Sequence, residues 1–356
     1  LERGIVRAID ARTGSIQWLW DPIPKSTNDK PRATWDGDSN LSTGAANAWA
    51  PITADPSSGL IYVPTSSPSP DFFGGERLGD NLYSNSIVAL NGFTGEVVWF
   101  QQLVHHDLWD YDIPAHPTLT TIRRQGEVHQ AVVVVTKTGM LFAFDRYSGE
   151  PIHEIEERPV PQSTVPGEIT SPTQPFSTIE ALANQDPVTK RDAFGVIFFD
   201  KLSCKRQINR FGSKGIFTPP SLGGIIMRPG YAGGSNWGGV AVDPQRQVAV
   251  TNVYEVPALV RLIPRGDLER LKAEGQLKGW QITEQRGTPY YLARRIFLSP
   301  LNLPCTKPPW GKLVAVDLSS GKILWEEKLG TIKDLAPKIV PNFRWGVPNL
   351  GGALLT

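Results

Sequence analysis

Four times along this chain an eleven-residue pattern returns with its defining residues at fixed offsets: "AIDARTGSIQW" (8–18), "ALNGFTGEVVW" (89–99), "AFDRYSGEPIH" (143–153) and "AVDLSSGKILW" (315–325). Alanine opens each copy, Asp or Asn follows at +2, Thr or Ser at +5 and Gly at +6, and Trp closes it at +10 except in the third, which ends on His153. The residues before the acid alternate like a strand, the Asp or Asn can bond its own turn, and the Gly accepts a positive φ. A second strand then leaves the turn and ends on an indole able to fill the gap between neighbouring sheets. These are hairpins built to stack.

A looser repeat accompanies them. "NAWAPITADPSSGLIYV" from Asn47 and "NWGGVAVDPQRQVAVTN" from Asn236 each place Trp six residues before Asp-Pro and follow it with a strand. Copies of the first pattern begin 81, 54 and 172 residues apart, so the last interval must hold degenerate copies and an insertion. A loop and helix segment around 258–310 fits that insertion, with Asp267 as the N-cap of a helix in "GDLERLKAEGQLKGW". Small antiparallel sheets repeated at about fifty residues predict an all-β chain forming part of a single β-propeller over 1–356, with a sandwich of hairpins as the alternative. Generous Gly (34), Pro (31) and Trp (11) suit many strands joined by tight turns. A net charge of +1 gives no reason to expect a nucleic-acid groove. Cys204 and Cys305 permit one bridge, which their spacing cannot decide. The most apolar run, "AVVVVT" from Ala131, is a strand's worth and not a membrane span. Opening on Leu1 and closing on "PNLGGALLT" in mid-pattern, the chain reads as an internal piece of a longer protein.

The chemistry concentrates in "VHHDLWDYDIP" (104–114). Adjacent His105 and His106 would point to opposite sides of a strand, which makes a poor metal pair. Asp107 and Asp110 flank Trp109, and a carboxylate beside an indole in a partly dry site is a tunable base. Equally, Asp107 and His106 could tie down a turn while Trp109 packs. Lys137, between an apolar strand and a turn glycine in "VTKTGMLFAFDR", is either solvated or laid across a pocket with its charge aimed at an anion or carbonyl. Trp49 and Trp237 each precede a strand and suit packing between sheets as well as a binding face.

The A-x-D-x-x-T-G-x-x-x-W repeat resembles the tryptophan-docking motif of the pyrroloquinoline quinone (PQQ) dehydrogenases, which are eight-bladed β-propellers. "VHHDLWDYDIPAHPTL", "TKTGMLFAFDRYSGEP", "PTQPFS", "GIFTPPS" and "LIPRG" together resemble the membrane-bound branch that oxidises glucose, quinate and shikimate, along essentially the whole chain. The resemblance implies an incomplete eight-bladed propeller here. It makes Asp110 the catalytic base, Lys137 the cation at the quinone's reactive carbonyl and Trp49 the floor beneath the quinone ring. Asn236 and Trp237 fall in a segment that approaches the cofactor from a later blade. Ser69 stands where the alcohol-oxidising branch has a calcium-ligating asparagine, and further ligands to a Ca2+ or Mg2+ ion are expected from segments preceding Leu1.

The implied reaction is hydride transfer from a sugar or cyclic polyol (glucose, quinate/shikimate or inositol type) to PQQ. The electrons would pass on to ubiquinone or a cytochrome c, at the periplasmic face of an inner membrane. Two other readings stay open: a non-catalytic propeller scaffold in the bacterial envelope, and a metal-dependent hydrolase using the His-Asp cluster. A scaffold has no reason to hold Asp110, Lys137 and Trp49 together; a hydrolase needs converging metal ligands.

Overall fold

In the computed structural model, which describes residues 1–26, 30–333 and 342–356, every copy of the pattern takes the same local form. Asp10 and Asp145 each accept two backbone N–H bonds from their own turn, Asn91 does the same, and Asp317 bonds the N–H and hydroxyl of Ser319. The glycine at +6 is left-handed in each, with φ from 73° to 76° at Gly14, Gly95, Gly149 and Gly321. Ala8, Ala89 and Ala315 pair directly with Trp18, Trp99 and Trp325, and a bulge follows each alanine.

Four antiparallel sheets carry these turns. They span Val6–Trp20 (two strands), Thr53–Gln102 (four), Thr118–Asp145 (three) and Ala241–Lys328 (four). Burial shows that they stack in this order. Val6 and Trp18 pack with Val63, Val88 and Leu90 of the second sheet. The strand Glu127–Val135 explains why "AVVVV" does not alternate: Val132 and Val134 face Ile87, Ala89 and Trp99, whereas Val133 and Val135 face Ala249, Val253 and Val314. A strand buried on both faces reads as a continuous apolar run. Each of its fully buried valines contributes about 1.5–3 kcal/mol.

Three of the four closing residues bond the turn of the next copy, while Trp325 is exposed. Trp18 donates its indole N–H to the Gly92 carbonyl (3.0 Å), Trp99 donates to Arg146 (3.1 Å), and His153 Nε2 meets the Leu318 carbonyl (2.7 Å). In every case the acceptor lies three residues before the glycine of the following copy. A Cβ added to Gly95 or Gly149 would fall 2.6 Å from the Trp18 or Trp99 ring. His153 thus occupies the position and makes the polar contact that the two tryptophans make, with burial holding its imidazole below its usual pKa and hence neutral.

Residues 255–310 leave the fourth sheet and return to it, since Tyr254 pairs with Gly311 across adjacent strands. This excursion is more strand than the sequence led us to expect. Ala258–Pro264, Gln281–Glu284 and Tyr290–Ile296 join Ile225–Met227 in a separate four-stranded sheet. The expected helix is short, Leu268–Ala273, and Asp267 makes no side-chain cap; its carboxylate accepts from Arg270 instead (2.8 Å). Val260, Leu262, Tyr290 and Leu292 of this sheet pack on the same core as Leu108, Trp109 and Ile113, so the excursion roofs the 104–113 loop.

A helix with no counterpart in the sequence reading, Phe198–Phe211, packs on the excursion through Cys204 and Ile208. Cys204 is disulfide-bonded to Cys305, fastening the helix to the returning end of the excursion across 101 residues of chain. Replacing both cysteines by serine is expected to lower unfolding free energy by about 2–4 kcal/mol, because the unfolded chain is freed of a long loop constraint. Urea unfolding of the oxidised parent against the double variant measures this.

Candidate active site

Asp107 shapes the loop. Buried and pushed up to about 6 chiefly by loss of solvent, its carboxylate accepts from the Trp109 N–H (2.9 Å), the Tyr111 N–H (2.8 Å) and Asn85 Nδ2 (2.9 Å). That tight turn puts Asp110 in the left-handed region (φ 58°), which Asp tolerates better than most residues. Trp109 points inward, donating to the Thr218 carbonyl (2.8 Å) and packing on Phe217. His106 bridges the Gly79 carbonyl (2.8 Å) and Glu168 (2.7 Å), while His105 contacts Gln102 and Glu157. The two histidines and Asp107 therefore build the loop, and Asp110 and Asp112 emerge from it on one side.

Lys137 meets them there. Its ammonium lies 3.0 Å from Asp110 Oδ1 and 2.8 Å from Asp112 Oδ2, in a side chain almost wholly buried. Burial alone would depress the lysine, but Asp112 and Asp110 outweigh it and hold the ammonium charged. Asp110 is raised well above the ordinary carboxylate range, first by burial and then by the charge of Asp112, with Lys137 opposing both. The lysine is fixed by its backbone: its N–H donates to the Asp112 carbonyl (3.3 Å) and its carbonyl accepts from Gly234 (2.7 Å). A Cβ on Gly233 would lie 2.7 Å from Lys137 Cα, so only glycine permits that approach.

Trp49 completes the cluster. Its indole N–H donates to Asp112 Oδ2 (3.1 Å), its ring centroid lies 5.9 Å from the Lys137 ammonium, and it is 43% exposed, an unusual state for a tryptophan so firmly anchored. Asp112 is thus the hub: buried, it takes Lys137, Trp49 and the Ser67 N–H (2.7 Å). The sequence reading passed over it, although its i+2 spacing from Asp110 was visible. Arg294 was also missed; it arrives from the excursion, with Nη1 3.9 Å from Asp110 Oδ2.

The remaining sequence candidates lie around this cluster. Asn236 and Trp237 belong to the Gly-rich loop that touches Lys137 through Gly233 and Gly234, but the Asn236 amide is satisfied within its own loop, at the Ala232 carbonyl and the Trp237 N–H. Trp237 is 51% exposed. Ser69 pairs with Gly44 in a short strand bridge and precedes Pro70, whose carbonyl binds Arg77. Among the described residues no three of His, Cys, Asp and Glu converge as a metal-ligand group.

Comparison with known proteins agrees with this frame. The family model described as "Glucose/ethanol/alcohol dehydrogenase, beta-propeller domain" matches residues 1–356. Quinoprotein glucose dehydrogenase A of Acinetobacter calcoaceticus is 39% identical over 99% of this chain and 45% of its own length. The quinate/shikimate dehydrogenase (quinone) of Acinetobacter baylyi is 32% identical, over 99% of this chain and 44% of its own. The chain therefore spans about half the length of the curated relatives it matches. Among solved structures, the quinohemoprotein alcohol dehydrogenase of Comamonas testosteroni superposes with a TM-score of 0.59 over 91% of this chain and 42% of that one, at 24% identity, which shows a shared fold. A model match over the full chain, together with relatives above 30% identity, places it: the chain belongs to the β-propeller domain family of the PQQ-dependent glucose, ethanol and alcohol dehydrogenases.

Proposed function

We propose that this chain carries the active site of a PQQ-dependent oxidoreductase that oxidises a hydroxyl of a sugar or cyclic polyol. One observation carries the reading: a partly buried, proton-avid carboxylate, Asp110, held 3.0 Å from a buried ammonium, Lys137, beside the half-exposed indole of Trp49. The residues fit a planar, anionic quinone. Trp49 offers a flat face and Lys137 a cation beside that face. Ser69 alone does not make a cation site, and Ca2+ or Mg2+ binding would draw on ligands outside this chain.

PQQ, when bound, supplies the two-electron acceptor that no side chain can provide. Asp110 accepts the proton of the substrate hydroxyl as hydride leaves the carbon; burial and Asp112 raise its proton affinity toward the working range of a general base. Lys137 would hold a quinone beside a fixed cation suited to stabilising oxygen charge, at no reorganisation cost because Asp112 and the backbone fix it in advance. Trp49 orients the ring by stacking, and Asp112 orients Trp49.

The sealing contacts of Trp18, Trp99 and His153 support extending the same joint around an eight-bladed ring. The Cys204–Cys305 bridge supports an oxidising compartment such as the periplasm. Ubiquinone or a cytochrome c is the acceptor this reading implies, with membrane attachment through segments other than this one; no helix among the described residues is long and apolar enough to cross a membrane.

Trp49→Ala tests the cofactor assignment. The loss of a stacking face is expected to weaken PQQ binding by roughly 10-fold or more, since aromatic stacking contributes about 1–3 kcal/mol. Titration of PQQ into the full-length apoprotein, followed by tryptophan fluorescence, reads this directly; unchanged affinity would remove Trp49 from the site.

A further inference from the structure

Arg294 occupies a position where the local pattern calls for an apolar residue. On the strand Tyr290–Ile296, Tyr290 and Leu292 face the core under the roof, and Arg294 continues that face. Its neighbour Arg295 turns the other way, toward Trp280 and Gln207. Three contacts fix the Arg294 guanidinium: the Tyr231 ring at 4.5 Å, the Phe72 ring at 6.0 Å and Gln281 Oε1, which accepts from Nε at 3.2 Å. Among the described residues the two terminal nitrogens make no hydrogen bond, and Nη1 makes only a long ion pair with Asp110 Oδ2, at 3.9 Å. A planar fork of donors, oriented, free of hydrogen bonds at its two tips and partly open to solvent, suits a carboxylate.

Its placement separates substrate from cofactor. Asp110 turns Oδ1 toward Lys137, which lies beside the Trp49 ring on the proposed cofactor side, and Oδ2 toward Arg294. A ligand that gives its hydroxyl proton to Asp110 therefore meets Arg294 on the flank opposite Lys137. A carboxylate on Asp110 itself would be repelled, so the substrate's acid group lies on the guanidinium and its reacting hydroxyl on the base. We infer that Arg294 is a specificity-determining residue that selects a compact polyhydroxylated carboxylic acid over a neutral sugar or polyol. This rests on the dehydrogenase reading above and narrows its substrate class.

The test uses the full-length protein loaded with PQQ, with quinate against myo-inositol and gluconate against glucose as matched acid and neutral probes. Dye reduction gives kcat and KM, and PQQ affinity is titrated separately. The parent is expected to favour an acid of at least one pair. Arg294→Gln should raise KM for that acid on the order of 10- to 100-fold, the range for a lost charge-assisted bond, with no comparable rise for the neutral partner and PQQ affinity little changed. Arg294→Lys should recover part of the loss, and added salt should weaken acid binding in the parent alone. Equal losses on acid and neutral substrates in Arg294→Gln, a preference of the parent for the neutral members, or a fall in PQQ affinity without acid-selective change would each overturn the inference while leaving the dehydrogenase reading intact. If PQQ neither binds nor supports turnover, the dehydrogenase reading fails instead. The inference then stands only if equilibrium dialysis shows the apoprotein retaining acid and Arg294→Gln releasing it.

Discussion

Replacing Asp110 by asparagine is expected to lower kcat by roughly 10²- to 10⁴-fold, the range for a lost general base, while PQQ affinity changes little. Asparagine preserves the shape of the side chain but cannot take a proton. Lys137 keeps its shorter contact, the 2.8 Å bond to Asp112, and so stays in place. The same residue sets the pH behaviour. Because burial and Asp112 raise the Asp110 pKa, the active carboxylate form is lost as pH falls through a value above the ordinary aspartate range, and the acid limb of kcat/KM should lie there. The stability sign runs opposite to that of a salt-bridged acid with a depressed pKa. A carboxylate whose folded pKa is raised favours the folded state when protonated and costs stability as pH rises through that pKa. Asp110→Asn should therefore be no less stable than the parent at neutral pH, although almost inactive. Steady-state pH profiles and urea unfolding on the same preparations test both halves. Turnover near the parent level would overturn the base assignment, and an acid limb near 3.8 would contradict the burial argument.

The largest stability loss is expected at a residue that no catalytic argument touches. Arg77 is fully buried, yet it donates to the Pro70 carbonyl (2.9 and 3.1 Å), to Asn81 Oδ1 (2.8 Å) and to the Asp107 carbonyl. It ties the segment containing Ser69 and Pro70 to the turn that presents Asp110. Arg77→Met fills most of the volume but leaves three buried acceptors without donors and removes the cation that Glu168, Asp107 and Asp71 surround. The expected cost is about 3–5 kcal/mol, the range for breaking a buried charged network by removing one partner. Chemical denaturation measures it; a change below about 1 kcal/mol would mean that the loop holds itself. Where the variant still folds, kcat should fall as well, because Asp110 is then positioned less firmly.

How far these features could be read from the chain depends on their range. The stacking hairpins were legible because each element is local: an acid that bonds its own turn, a glycine at positive φ, an alanine opposite a tryptophan. Even the exception was informative, since His153 makes the carbonyl contact that Trp18 and Trp99 make. Within "VHHDLWDYDIP" the residues divide: His106 and Asp107 hold the turn, and Asp110 faces Lys137. Asp112 was hidden because its importance lies in partners 25 to 63 residues away. Arg294 was hidden more deeply. It reaches the site only because the excursion folds back as a sheet, and a sequence period cannot reveal what a roof will cover. The helix Phe198–Phe211 carried a usable signal, with Cys204, Ile208 and Phe211 on one face, masked by the polar residues between them. The roles of Asn236, Trp237 and Ser69 rest on the family resemblance; their contacts here are to their own loops and strand neighbours.

The central claim is that Asp110, Lys137 and Trp49 serve a bound quinone, and dye reduction by the full-length gene product tests it most directly. The protein would be loaded with PQQ in the presence of calcium or magnesium and given glucose, gluconate, quinate, shikimate and inositol in parallel. The account predicts PQQ-dependent turnover of at least one of these, abolished by Asp110→Asn. Absence of PQQ binding to a folded, full-length protein would contradict it and return the chain to the scaffold reading.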